Sequence, residues 1–198
     1  MAKVSADVRR EQFVDAAIQV IAERGMKGAT TRRIAEAAGA PLATLHYCFN
    51  SKEDLFLYVF ERVAADLFDS VADVRPTDLA QTAAALIRRF SKYWAEHEAK
   101  QMAQLDLYLW AVRNDRELAK KSYEIFVRQW IAVLLHAARP DDPVELVETL
   151  GWLCSTIVDG LFIEWASSRN TDRMQCLVDF QCEMIAAAVD NHRRDRAS

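Results

Sequence analysis

Residues 16–56 read AAIQVIAERGMKGATTRRIAEAAGAPLATLHYCFNSKEDLF, and Gly25 and Gly39 divide this stretch into three helical segments. Upstream of Gly25, the segment 7–24 places Phe13, Ala17, Val20 and Ile21 on one stripe at helical spacing, with the glycine as a C-terminal stop. Thr30 suits the N-cap of a short helix over 31–38, in which Ile34 and Ala38 face inward before Gly39 forces a turn. A third helix over 41–48 follows, with Pro41 in its first turn, where the missing N–H costs nothing. Two short helices separated by a glycine have the dimensions of a helix-turn-helix, whose second member enters the DNA major groove. Small helical hairpins are also common packing units, so spacing alone leaves DNA reading and plain packing both open.

Outward from this stretch, Ser51 caps a fourth helix running to about 74 and ended by Pro76. Helices are expected near 77–98, 101–113, 115–138, 144–168 and 172–192, with breaks at Lys100, Asn114, the Pro140–Pro143 pair and Asn170–Thr171, and a frayed tail over 193–198. With only five Gly and four Pro among 198 residues, and long runs of good helix formers, the expected fold is all-α with about nine helices. A division at 51/52 separates a helix-turn-helix domain (1–51) from a helical body (52–198).

Composition excludes several classes. The N-terminus MAKVSADVRREQ lacks an apolar signal core, and no stretch approaches the roughly 18 uninterrupted apolar residues of a membrane span, which places the chain in the cytoplasm and off the membrane. Cys48, Cys154, Cys176 and Cys182 show no CxxC spacing, so no metal is expected and all four should behave as small buried hydrophobes. The net charge of −4 argues against coating nucleic acid along the whole surface. It hides an asymmetry: residues 1–55 carry eight Lys/Arg against seven Asp/Glu, the remainder 17 against 22, so the first quarter best tolerates phosphates.

The run from Arg10 to Leu55 resembles the DNA-binding domain of the TetR family of transcriptional regulators. The matching elements are Gly25, Thr30, Ile34-Ala35, Ala38-Gly39, Thr44-Leu45, Phe49, Ser51-Lys52-Glu53 and Leu55. The resemblance implies a repressor that binds a (pseudo)palindromic double-stranded operator as a homodimer and is released by a small effector. Two departures leave the operator open: Pro41-Leu42-Ala43 stands where the family often has Ser-Lys/Arg-Gly, and His46 occupies the usual Tyr position.

Residue chemistry agrees with this. Thr30 and Thr31 lie where a helix N-terminus can meet a phosphate; Arg32 and Arg33 add charge there, and Lys52 offers a second anchor. A solvated helix face is the alternative for each basic residue. In the third helix Leu45 and Phe49 should lock inward, leaving Pro41, Leu42, Ala43, Thr44, His46 and Tyr47 to face DNA. Reading would then be largely non-ionic, with Thr44 hydrogen-bonding or touching a thymine methyl, and Leu42 or Ala43 touching methyls. His46 is either a DNA contact or a structural histidine.

Two late helices are too apolar for ordinary surface elements. In 144–168, Val147, Leu150, Cys154, Ile157, Leu161 and Trp165 form one stripe, and Leu146, Leu153, Gly160 and Ile163 another. In 172–192, Leu177, Phe180, Met184 and Ala187 form a stripe distinct from Val178, Cys182, Ile185 and Val189. Two apolar faces imply two partners, and the resemblance makes the second a twofold mate in a four-helix bundle, with Leu153, Gly160, Leu177, Phe180, Met184 and Ala187 at the interface. An excess of aromatics suggests a pocket for an apolar or aromatic effector lined by Trp94, Tyr108, Trp110, Tyr123, Phe126, Trp130, Trp152 and Phe162. Asp159 either orients that ligand or is satisfied at a helix or dimer contact. The competing classes are an enzyme and a protein-binding adaptor. Against the enzyme, GxSxG, HExxH, P-loop and GxGxxG patterns are missing and the four histidines are scattered, so no catalytic residue and no cofactor is expected. An adaptor has no need of threonines, arginines and a lysine flanking a helix-turn-helix.

Overall fold

Gly25 holds φ 64° and ψ 175°, a backbone region open in practice only to glycine, and it kinks the first helix, α1 (Ala6–Gly28). The computed structural model describes residues 5–197. Among them, α1 is followed by α2 (Thr31–Ala37), α3 (Leu42–Cys48), α4 (Lys52–Asp69), α5 (Leu79–Glu96), α6 (Glu98–Asn114), α7 (Arg116–Leu135), α8 (Val144–Ser168) and α9 (Thr171–Ala197), with no strand. The fold is all-α, as composition and punctuation predict.

Several boundaries differ from expectation for local reasons. α4 stops at Asp69 rather than near 74, because the N–H groups of Val71 and Ala72 bond three residues back to Phe68 and Asp69 and tighten the chain into a turn. The break expected at Lys100 falls at His97, whose carbonyl accepts from the N–H groups of Lys100 and Gln101 as α6 begins. Pro41 is the N-cap of α3, not its first-turn residue; its carbonyl accepts the Thr44 N–H. The expected frayed tail is helical to Ala197.

The helices group into two compact units, Met1–Asp66 with His97–Ile125, and Leu67–Glu96 with Phe126–Ser198. This grouping differs from a division at 51/52, since the first part of α4 and all of α6 pack with the helix-turn-helix. In the first unit α1 packs on α2, α3 and α6 around Phe13, Ile21, Ile34, Leu45, Phe49, Leu55 and Phe56. In the second, α5 packs on α8 and α9. There Phe68, Phe90 and Trp130 meet edge to face with centroids 5.2–5.7 Å apart, the geometry aromatic quadrupoles favour.

α8 is 25 residues long with a mean hydropathy of 1.5 in its most apolar window, enough by length and composition to cross a membrane. Its Val147, Leu150, Cys154, Leu161 and Trp165 stripe is buried inside the second unit. Burial there raises the Cys154 thiol to about 12 and pushes Cys182 up as well, which disfavours the thiolate of each. Cys176 departs from the expectation for cysteines: it is exposed on α9.

The C-terminal end of α9 is anchored by Arg193, which bonds Asp142 at 2.7 and 2.8 Å and Asp78 at 2.8 Å. The side chains of Arg193 and Asp142 are 14% and 1% exposed, so this is a shielded cluster and not a surface pair. Burial pushes the Asp78 carboxyl up, but bonds from Arg193 and the Ala80 N–H, with the charges of Arg193 and Arg139, outweigh it and leave it below the usual range. The Arg193 hydrogen bond likewise holds Asp142 low against burial. Because both folded-state values are depressed, this stabilisation is fully present above the unfolded value of about 3.9 and is lost as pH falls through the folded values. Arg193→Met is therefore expected to destabilise the protein by about 3 kcal/mol at pH 7 in urea unfolding at fixed protein concentration. Its difference from wild type should narrow in acid below about pH 4.

Candidate nucleic-acid interface

The helix-turn-helix is assembled by short-range bonds. The Thr30 hydroxyl accepts the Arg33 N–H at 3.3 Å and caps α2, and the Arg33 guanidinium donates to the Gly28 carbonyl at 3.2 Å. Arg32 pairs with Glu36 at 3.4 Å, and both side chains are largely in solvent. Thr31 is half-buried at the start of α2. Gly39, with φ 60°, turns the chain into α3.

On α3, Leu45 and Cys48 are buried, as is Phe49 just after it, whose ring meets Phe13 at 6.2 Å and Tyr58 at 5.5 Å edge to face. These contacts fix the rotation of α3. Pro41, Leu42, Ala43, His46 and Tyr47 consequently face solvent, with Thr44 half-buried among them. Tyr47 is 84% exposed, an unusual position for a tyrosine ring without a partner surface.

α4 opens with reciprocal caps: the Ser51 hydroxyl accepts the Asp54 N–H at 3.0 Å, and the Asp54 carboxylate accepts the Asn50 N–H at 3.0 Å. This places Lys52 in the first turn of α4. Its ammonium lies 5.0 Å from the Phe56 ring centroid and 5.4 Å from that of Trp110, and the two rings meet edge to face at 5.5 Å. Burial lowers the Lys52 pKa, with Glu53 partly opposing. Trp110, expected in an effector pocket, thus sits on α6 beneath the lysine expected to hold phosphate.

α6 makes a second connection to the same unit. The Asp106 carboxylate accepts the Met26 N–H at 2.7 Å, immediately after the α1 kink. A Cβ at residue 25 would lie 3.2 Å from that carboxylate oxygen, so the kink and the bond share one tight space. Lys100 on α6 also pairs with Asp66, which binds Arg62 at 3.2 Å. Sequence reading missed Asp106; an aspartate on a largely apolar helix with a 3.6-residue period was the available signal.

The remaining residues expected to form one pocket are divided between the units. Tyr108 and Tyr123 belong to the first, with ring centroids 5.7 Å apart. Trp94, Phe126, Trp130 and Phe162 are buried in the core of the second, Trp94 meeting Phe162 at 5.6 Å. Trp152 and Asp159 are exposed on α8, on the side that also carries Leu153, Gly160 and Ile163. On α9, Phe180 is 62% and Met184 57% exposed, Ala187 is exposed and Leu177 half-buried, while Val178, Cys182, Ile185 and Val189 are buried. One apolar stripe of each helix is thus used inside the unit and the other is left uncovered. Among the described residues no three His, Cys, Asp or Glu side chains gather where they could hold a metal ion.

Comparison with known proteins places this geometry. Residues 13–59 match the family model for bacterial regulatory proteins, tetR family. The chain is 27% identical over 183 residues to the HTH-type nicotine-responsive transcriptional repressor HdnoR of Paenarthrobacter nicotinovorans, covering 89% of this chain and 93% of that one. It is 26% identical to the HTH-type transcriptional repressor AcnR of Corynebacterium diphtheriae, covering 91% and 93%. The crystal structure of the multidrug binding protein EbrR complexed with ethidium superposes with a TM-score of 0.70 at 18% identity, covering 89% and 97%.

Proposed function

We propose, from the premise that this chain belongs to the tetR family of transcriptional regulators, that it is a homodimeric repressor. It binds a (pseudo)palindromic operator and lets go when a small, mainly apolar or aromatic molecule binds. The observation that carries this is the outward face of α3: Leu42, Ala43, Thr44, His46 and Tyr47 are presented together, with cationic groups at both ends of the motif. Arg32, Arg33, Thr30 and Thr31 flank it on α2, and Lys52 flanks it on α4. Phosphate contacts from these groups set position, and the α3 face reads bases through methyl contacts and the Thr44 hydroxyl. To reach a phosphate, the Lys52 ammonium leaves its place over Phe56 and Trp110.

The uncovered stripes of α8 and α9 support a twofold interface through Leu153, Gly160, Leu177, Phe180, Met184 and Ala187. Nothing crowds a Cβ built at Gly160, so a helix of a second copy can approach closely there. A relative responsive to nicotine and a structural neighbour holding ethidium support a small effector that carries an aromatic ring. A tenfold release of DNA needs a preference for the non-binding conformation of only about 1.4 kcal/mol, and linkage makes effector binding to operator-bound dimer weaker by the same factor. Such a regulator works in the cytoplasm, beside the chromosome, and needs neither cofactor nor catalytic group.

Two expected outcomes test this reading. Lys52→Ala should weaken binding to operator and random DNA about equally and reduce the salt slope by about one, whereas Thr44→Ala should relax preference at one position per half-site, costing about 1–3 kcal/mol there. Equal effects of both changes on both DNAs, in titrations on an operator selected from random sequence, would contradict this division. Phe180→Asp or Met184→Asp should convert a sedimenting dimer into monomers at micromolar concentration. A monomeric wild type would remove the dimer from the account.

A further inference from the structure

α6 carries two polar atoms that folding leaves without partners. The Gln101 side chain is 6% exposed and its Nε2 makes no hydrogen bond; Gln104, three residues on, buries an Oε1 that accepts none. Natural interiors satisfy nearly all such atoms, so a buried unpaired donor next to a buried unpaired acceptor needs an explanation. At 100° per residue, 101, 104 and 108 share one side of α6, whereas 103, 106 and 110 share the opposite side, the side of the Asp106 bond and Trp110. The first side therefore bears Gln101, Gln104 and Tyr108, with the Tyr123 ring of α7 5.7 Å from that of Tyr108. Asp106 is the one ionisable carboxylate of the 101–110 segment, and it is committed on the other side to the Met26 N–H.

We propose that this side of α6 is the effector's polar contact, and that the effector is a neutral, flat molecule bearing an amide-like group. Its carbonyl accepts from Gln101 Nε2, its N–H donates to Gln104 Oε1, and its ring lies against Tyr108 and Tyr123. An amide or lactam offers an acceptor and a donor side by side, the complement of a glutamine pair at i and i+3. A hydrocarbon would leave both glutamine atoms unpaired, and the carboxylate of Asp106 is already committed to the Met26 N–H. The inference rests on the regulator reading above and makes its effector polar at one edge. Because α6 holds α1 and underlies Lys52 from its other side, occupation of this stripe acts on the reading head through one helix.

The test uses 2-quinolinone, a bicyclic lactam, against naphthalene, its hydrocarbon counterpart, in calorimetric and ligand-observed NMR titrations of the full-length protein. Wild type should bind 2-quinolinone at least tenfold more tightly than naphthalene. N-methylation of the lactam should cost several-fold, a readout that requires no variant to fold. Gln101→Leu and Gln104→Leu should each lower lactam affinity at least tenfold, spare naphthalene, and leave the free protein's Tm unchanged or higher. Equal affinity for the two probes overturns the proposal, as does no lactam binding at millimolar concentration. Variants with a raised Tm but unaltered lactam affinity also overturn it, since the glutamines would then hold only water. Operator binding by the ligand-free wild type is measured alongside; its failure would remove the regulator reading itself, whatever the probes do.

Discussion

The hydrogen bond from the Met26 N–H to the Asp106 carboxylate ties the kink of α1 to α6. Gly25 supplies a backbone conformation that other residues avoid, and the residues after it lead directly into Thr30 and the helix-turn-helix. A partly buried carboxylate accepting a main-chain N–H is among the stronger neutral-to-charged bonds, and losing it would strand that donor. Through α6 the same unit gains Trp110, whose ring lies beneath Lys52, and Lys100, paired with Asp66. The kink of α1 and the first turn of α4, which lie on either side of the helix-turn-helix in sequence, are thus both held by a helix distant in sequence.

This arrangement explains what could and could not be read from the chain. The nine helices of the described residues and the α2–turn–α3 geometry follow from local signals: Gly25 and Gly39, the Thr30 and Ser51 caps, and the buried period of Phe13, Ala17, Val20, Ile21, Ile34, Leu45 and Phe49. The doubled faces of α8 and α9 were equally legible, because 3.6-residue periodicity separates Val178, Cys182, Ile185 and Val189 from Phe180, Met184 and Ala187 without knowledge of the partner. Aromatic composition was a poorer guide. A tryptophan at 94 or 130 is as well suited to a core as to a pocket, and both lie in the core of the second unit. Register on each helix decides where the others lie: Trp110 meets Phe56 and Lys52, and Trp152 shares the exposed stripe of Leu153. Asp106, Gln101 and Gln104 were missed since a polar residue on a half-buried helix carries no mark of its partner until the fold brings that partner near. The Arg193 anchor was missed likewise, its aspartates being 51 and 115 residues away.

Polar chemistry and apolar packing are apportioned differently in the two units. The second relies on aromatic edge-to-face packing and a shielded Arg193 cluster, and leaves apolar stripes of α8 and α9 exposed. The first relies on caps, single hydrogen bonds and a cation over two rings, each worth of order 1 kcal/mol. Interactions of that size suit a reading head that must change its affinity by a small factor, because a modest effector preference is enough to outweigh any one of them.

Amide hydrogen exchange in wild type and Asp106→Ala tests whether the α6 carboxylate holds the helix-turn-helix in place. Removal of the carboxylate is expected to speed exchange at Met26 and through α2 and α3, and to lower operator affinity, with the dimer intact and α8 and α9 protected as before. Faster exchange at Met26 alone, with α2, α3 and operator affinity at wild-type values, would contradict it.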